Sequence, residues 1–177
     1  MADTLTWVRA VISTTASLWT ALAAQPADLL ARKPAPGEWS ATECLQHVID
    51  TERDVFPVRL RAFLDGRDFP GYNPDAQGTT GKAERPVQEM AAEFARLRAG
   101  SVALLNTVTS ADLSRRARHK DLGPVTLSEM LNEWAAHDLV HLMQAERALM
   151  QPFIPETGPW QPYFSQHVVH GKKEAKG

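Results

Sequence analysis

Two histidines that stand four residues apart, His137 and His141, are the residues of this sequence most suited to chemistry. They lie on the apolar side of a segment with helical periodicity. Four residues are slightly more than one helical turn, so the two imidazoles project about 40° apart and one turn along the axis. Two imidazoles that face a core both need polar partners, and one cation satisfies both. The pair therefore predicts two ligands of a metal site.

A third ligand has to come from another helix, and His47 is the best candidate. It lies beside an apolar stripe in the segment S-A-T-E-C-L-Q-H-V-I-D-T-E. A lone histidine in such a place is more often a hydrogen-bonded core residue than a ligand. Three imidazoles would leave an ion such as zinc with an open position for water or a thiolate, which is typical of catalytic metal sites.

Two carboxylates near these histidines are candidate catalytic residues. Glu52 falls on an apolar stripe, where burial without a partner is costly, so it has a catalytic, a site-supporting or an arginine-paired role. Asp138 follows His137 and has four alternatives: it orients an imidazole, shuttles a proton, forms a salt bridge or is a solvated carboxylate. Because position 138 holds Asp, the motif differs from the H-E-x-x-H of metalloproteases, and peptidase activity is not expected.

The remaining cysteine and histidines are predicted to lie outside the site. Cys44 is one turn before His47, and we expect a small buried thiol rather than a ligand. His119 belongs to the basic stretch R-R-A-R-H-K, which predicts a solvated connection. His167 and His170 have ligand-like spacing, but their position near the end of the chain favours surface histidines.

Four long segments carry helical periodicity, and none of the chain carries a convincing strand alternation. The predicted helices cover residues 4–24, 40–66, 86–109 and 126–151, with a short helical piece at 26–32. Capping boxes, S-A-T-E and T-L-S-E, mark the starts of the second and fourth long helices. Pro57 is expected to bend the second one.

The connections predict how these helices are arranged. Residues 66–84 are rich in Gly, Pro, Asn and Asp and lack any period, which predicts a long loop. Such a loop is longer than antiparallel neighbours need, so it crosses the bundle and leaves the second and third helices parallel. The sequence thus predicts an all-α four-helix bundle in the order up, down, down, up. We expect a single domain over residues 1–177, with a core at 4–150 and an irregular tail at 151–177.

Composition and charge narrow the class of protein. The 177 residues include 44% hydrophobic and 23% charged residues, which is ordinary for one globular domain. A formal net charge of -2 means that the chain has no excess of positive charge to attract nucleic acid or anionic lipid, so neither is an expected partner. The first twenty-odd residues lack the apolar run of a signal peptide or membrane span, and one cysteine excludes a disulfide framework. A cytoplasmic location is expected.

Three features together resemble the DinB-like superfamily of metal-binding four-helix bundles, which is related to bacillithiol- and mycothiol-dependent transferases. They are W-S-A-T-E-C-L-Q-H at the second helix, the long crossover loop, and H-D-L-V-H-L-M-Q in the last helix. The resemblance covers about residues 5–150. It implies that His47, His137 and His141 bind a divalent ion, commonly zinc or nickel.

The resemblance also implies an activity. The expected function is a metal-dependent thiol S-transferase or hydrolase that acts on a small molecule, with a low-molecular-weight thiol as one expected partner and a homodimer as the expected assembly. One alternative is a non-catalytic bundle that binds a metal or another ligand. Another is a purely structural bundle in which the three histidines have their polar needs satisfied without a metal.

Overall fold

The periodic segments form helices in the computed structural model, which describes residues 4–69, 71–72 and 85–171. The helices in these residues are α1 (Thr4–Leu22), α2 (Ala27–Ala31), α3 (Ala41–Asp54), α4 (Phe56–Asp65), α5 (Val87–Leu105) and α6 (Leu127–Met150). A hairpin of strands β1 (Arg116–His119) and β2 (Gly123–Thr126) precedes α6, and short 3-10 segments cover Ser110–Ser114 and Ile154–His167. Residue 70 and residues 73–84, which contain most of the predicted long loop, lie outside the described residues.

Both predicted capping boxes are formed. The Ser40 hydroxyl accepts from the N–H of Glu43, whose carboxylate accepts from the N–H of Ser40, at 3.2 and 2.8 Å. Thr126 and Glu129 make the same reciprocal pair at the start of α6. These bonds satisfy N–H groups that have no partner inside the helix. They fix where α3 and α6 begin, and therefore which of their residues face the core.

The second predicted helix is divided into α3 and α4. The joint is Val55, a turn residue whose φ of -119° and ψ of -76° depart from the values of a regular helix. Pro57 lies in the first turn of α4 and has no N–H to donate to the carbonyl of Arg53, so the backbone ladder is interrupted there. The prediction of one bent helix is thus replaced by two helices, and α4 ends at Gly66 in the left-handed conformation.

Contacts between the helix ends establish the topology. Arg9, near the start of α1, donates to the carbonyls of Leu105 and Val108 at the end of α5, so these helices are antiparallel. One apolar cluster joins the first halves of α1 and α6, and a second joins the first halves of α3 and α5. Each of those pairs is therefore parallel. The predicted all-α bundle with the order up, down, down, up is confirmed.

The hairpin was not predicted. Its strands have only four residues each, and β1 contains two arginines, so no alternation was visible in the sequence. Ala117 and His119 nevertheless point inward, and Phe69 pairs with His119 beyond the end of α4. The prediction of a solvated connection at His119 is wrong, because only 9% of this residue is exposed.

Other predictions concern single residues and membrane insertion. Cys44 is completely buried, which confirms the prediction of a small buried thiol, and burial raises its pKa to about 12. His167 and His170 are exposed, as predicted.

Among the described residues, no helix combines the length and apolar character that crossing a membrane requires.

Candidate metal centre

The bundle brings the three predicted histidines together. His47 lies in the second turn of α3, and His137 and His141 lie on the antiparallel α6. Nε2 of His47 is 3.1 Å from Nε2 of His137, and the ring of His141 is centred 4.4 Å from each of the other two rings. One ring nitrogen from each histidine can be chosen so that all three lie within 4.8 Å of one another. This spacing allows one ion to contact all three.

Burial keeps these imidazoles uncharged. It lowers the pKa of His47 to about 4, with a further contribution from His141, and it lowers the pKa of His137 to about 2. The other two histidines, Arg98 and Arg59 add to the effect on His137. Burial also lowers the pKa of His141. Since a metal ligand must be an unprotonated nitrogen, all three rings are in the required state at neutral pH.

The hydrogen bonds of the rings fit a bound cation. Nδ1 of His141 donates to Oε1 of Gln144 at 3.0 Å, which leaves the lone pair on Nε2. His137 differs from His141 in this respect: its Nδ1 is buried without a hydrogen-bond partner among the described residues, so no hydrogen bond sets the tautomer of this ring. The close Nε2 atoms of His47 and His137 can share at most one proton, whereas a cation satisfies both lone pairs. Three imidazoles are a donor set that suits several first-row divalent ions.

Removing the acceptor from His141 is expected to weaken metal binding. In a Gln144→Leu variant, Nδ1–H loses the bond that sets its tautomer, and affinity should fall about 10- to 100-fold. Competition with a chromophoric chelator measures this change. Asn132→Leu, at an exposed site on the same helix, is the control, and Gln144→Glu should retain affinity because it keeps an acceptor. Unchanged affinity in Gln144→Leu would show that this bond does not orient a ligand.

A cavity of about 440 Å³ opens onto the histidines. Trp39 stacks on His141 with ring centroids 5.8 Å apart and also contacts His47 at 5.0 Å. Phe56 presents its ring edge-on to His137 at 5.0 Å. The other lining residues are Glu38, Thr51, Val55, Arg59, Tyr72, His119, Glu133 and Gln144. A volume of this size suits a small molecule.

Most of this lining was not predicted from the sequence. Trp39 stands immediately before the capping box at Ser40, slightly more than two helical turns before His47, and this position is the signal that could have placed it near the site. Phe56 and Arg59 reach the cavity because α4 begins after the break at Val55. Tyr72 belongs to a Gly- and Pro-rich stretch, and nothing in its local sequence indicates a site.

The two candidate catalytic carboxylates pair with an arginine instead of lining the cavity. Arg98 of α5 donates to both oxygens of Glu52 at 2.9 Å and also forms an ion pair with Asp138. Thr15 donates to Asp138 at 2.8 Å. All three charged side chains are almost completely buried. The arginine-paired alternative for Glu52 and the salt-bridge alternative for Asp138 are therefore the observed ones. The alternative of a solvated carboxylate at Asp138 is wrong, because only 1% of this residue is exposed. A catalytic role for either residue stays a prediction.

Comparison with solved structures shows the same fold elsewhere. YfiT from Bacillus subtilis, described as a probable metal-dependent hydrolase with an unusual four-helix bundle topology, matches with a TM-score of 0.75 and 16% sequence identity. The match covers 86% of this chain and 89% of YfiT. At this identity the likeness shows a shared fold.

Comparison of sequences gives the family. A search of curated proteins finds no match. The sequence model of the DinB superfamily, in contrast, matches residues 10–145, a span that contains His47, His137 and His141 and most of the bundle. The chain belongs to the DinB superfamily.

Proposed function

We propose that this protein is a metal-dependent hydrolase of a small molecule, with His47, His137 and His141 as the ligands of a divalent ion. The observation that carries the proposal is the position of three uncharged imidazoles at the wall of a cavity of about 440 Å³. The description of YfiT, which has the same fold, supports it. When bound, the ion supplies a Lewis acid and lowers the pKa of a water or thiol on it.

The protein's own residues prepare this reaction. Three protein ligands leave room for a further ligand, and the cavity gives a small molecule access to that position. Trp39 and Phe56 cover the imidazoles with aromatic rings, which limits the water around them. Gln144 holds the His141 ring by its Nδ1–H. These groups fix the geometry of the site before a substrate enters.

Transfer of a low-molecular-weight thiol is the second candidate reaction. The same open position would accept a thiolate in place of water, and the cavity has room for a small thiol. We also propose zinc or nickel as the ion, because both bind imidazole nitrogen. A cytoplasmic homodimer is the proposed assembly, and light scattering that gives the mass of one chain would contradict it.

The experiment starts from protein purified without a nickel column. Elemental analysis should find about one zinc or nickel ion per chain, and a stoichiometry near zero would contradict the metal site. The loaded protein is then assayed with a panel of esters and amides, and with small thiols plus electrophiles. We expect turnover that His141→Ala lacks. A full metal load without turnover above this control would favour the non-catalytic binding bundle.

A further inference from the structure

Arg59 of α4 and His119 of β1 meet in the wall of the same cavity. Nη2 of Arg59 lies 3.4 Å from Nε2 of His119, and both residues are more than nine-tenths buried. A guanidinium has donors and no acceptor. This contact is therefore a hydrogen bond only if Nε2 of His119 accepts.

The other nitrogen of His119 shows that Nε2 does not accept. The backbone N–H groups of Asp121 and Leu122 donate to Nδ1 at 3.1 and 3.3 Å. Because a neutral imidazole has one acceptor and one donor nitrogen, Nε2 carries the hydrogen. The Asp121 carboxylate is 4.0 Å from Nδ1 and largely exposed, so it does not compete with these bonds. Two donors thus face each other, and the 3.4 Å separation exceeds the usual hydrogen-bond distance.

Within the described part of the chain, the groups around this donor pair offer it no buried acceptor. The Glu133 carboxylate contacts the other terminal nitrogen of Arg59, Nη1, at 3.3 Å, and its side chain is 55% exposed. Such a long, solvated pair holds the guanidinium only weakly, so it competes with an added anion without excluding it. The rings of Phe56 and Phe69 lie 6.0 and 5.4 Å from the guanidinium and supply no acceptor. The Tyr72 hydroxyl also belongs to a lining residue, and it is buried without a hydrogen-bond partner among the described residues.

We propose that Arg59 and His119, with the Tyr72 hydroxyl, form an oxyanion site in this cavity that binds a carboxylate or phosphate group. An oxygen between Nη2 and Nε2–H would accept from both donors and receive the charge of the guanidinium. The same cavity holds this site and the three histidines, so the substrate is a small anionic molecule. As a statement about substrate this rests on the proposed function. As a binding site it does not depend on a metal.

The test uses metal-free full-length protein at constant ionic strength. Acetate and inorganic phosphate are titrated separately, and binding is followed by the NMR signals of the histidine rings. At least one anion should shift the His119 signals saturably. Arg59→Gln should weaken that binding at least about tenfold, because it removes a charged donor. Arg61→Gln makes the same charge change at an exposed site on α4 and should leave the affinity unchanged.

The Glu133→Gln variant should change the anion affinity in the opposite direction to Arg59→Gln. It removes the carboxylate that competes for Arg59, so the anion should bind up to about fivefold more tightly. Because Glu133 is half-exposed, this substitution should not disturb the fold. It therefore tests the proposal even if Arg59→Gln loses its helical circular dichroism. Three results would overturn the proposal: no saturable shift with either anion, equal losses in the Arg59 and Arg61 variants, or no gain in Glu133→Gln. Since no metal is present, failure of the metal site would not affect this test.

Discussion

Replacement of His47, His137 or His141 by alanine is expected to weaken divalent metal binding by more than about 100-fold. This loss exceeds the one expected from removing Gln144, the hydrogen-bond partner of His141. Each variant removes one of three nitrogens that lie within 4.8 Å of one another. Each variant keeps only two imidazoles, either both from α6 or one each from α3 and α6. Two ligands bind an ion less tightly than three. Equilibrium competition with a chelator and elemental analysis after dialysis measure the loss without relying on activity.

The control for this prediction is His167→Ala, which removes an exposed imidazole and should retain full affinity. Circular dichroism must show the same helix content in all variants, since His137 is also packed against Phe56. Equal affinities in the wild type and in His141→Ala would contradict the three-histidine site. A loss of the same size in His167→Ala would indicate binding by scattered surface histidines instead.

Replacement of Arg98 by methionine is expected to cost about 3–5 kcal/mol in the free energy of unfolding. The guanidinium bonds both Glu52 and Asp138, and these groups are nearly inaccessible to water. Removing it leaves two carboxylates buried without a countercharge. Arg98 also donates to the carbonyl of Ile12, so its loss affects contacts among α1, α3, α5 and α6. Urea unfolding of the metal-free protein measures the change.

Two controls separate the buried charge from the loss of packed side-chain volume. Arg96→Met, at an exposed position of the same helix, should change the free energy of unfolding by less than about 0.5 kcal/mol. The triple variant Arg98→Met, Glu52→Leu, Asp138→Leu should be more stable than Arg98→Met alone, because no uncompensated charge remains. A triple variant that is less stable than the single one would show that the ion pairs themselves stabilise the fold.

The loss caused by Arg98→Met should depend on pH. Burial raises the pKa of Glu52, and the Arg98 charge opposes this, so removing Arg98 raises that pKa further. A carboxyl whose folded-state pKa exceeds its unfolded value stabilises the fold below the unfolded value and loses this contribution as pH rises. The difference from wild type should therefore be smaller at pH 5 than at pH 8. A difference that is constant over this range would contradict the assignment of the cost to buried carboxylates.

Local sequence was sufficient for the helices and for part of the site. Capping boxes at Ser40 and Thr126 fixed the helix starts, since these bonds join residues only three apart. The spacing of His137 and His141 placed both on one side of α6 for the same local reason. His47 required one further step, the order of the helices, which the long predicted loop supplied. All three residues meet in the structure, while their role as metal ligands remains a proposal.

The tertiary structure decided which polar groups pair and which line the cavity. The sequence left several roles open for Glu52 and Asp138. In the structure both form ion pairs with Arg98, which is more than forty residues from Glu52 and forty from Asp138. Arg59 and His119 are sixty residues apart and meet only because a hairpin closes beside α4. Helical periodicity shows which face of its helix a residue occupies, but it does not show which residue it contacts across the core. The sequence by itself therefore determined the bundle and the candidate histidines, whereas long-range packing determined the cavity and its anion-binding wall.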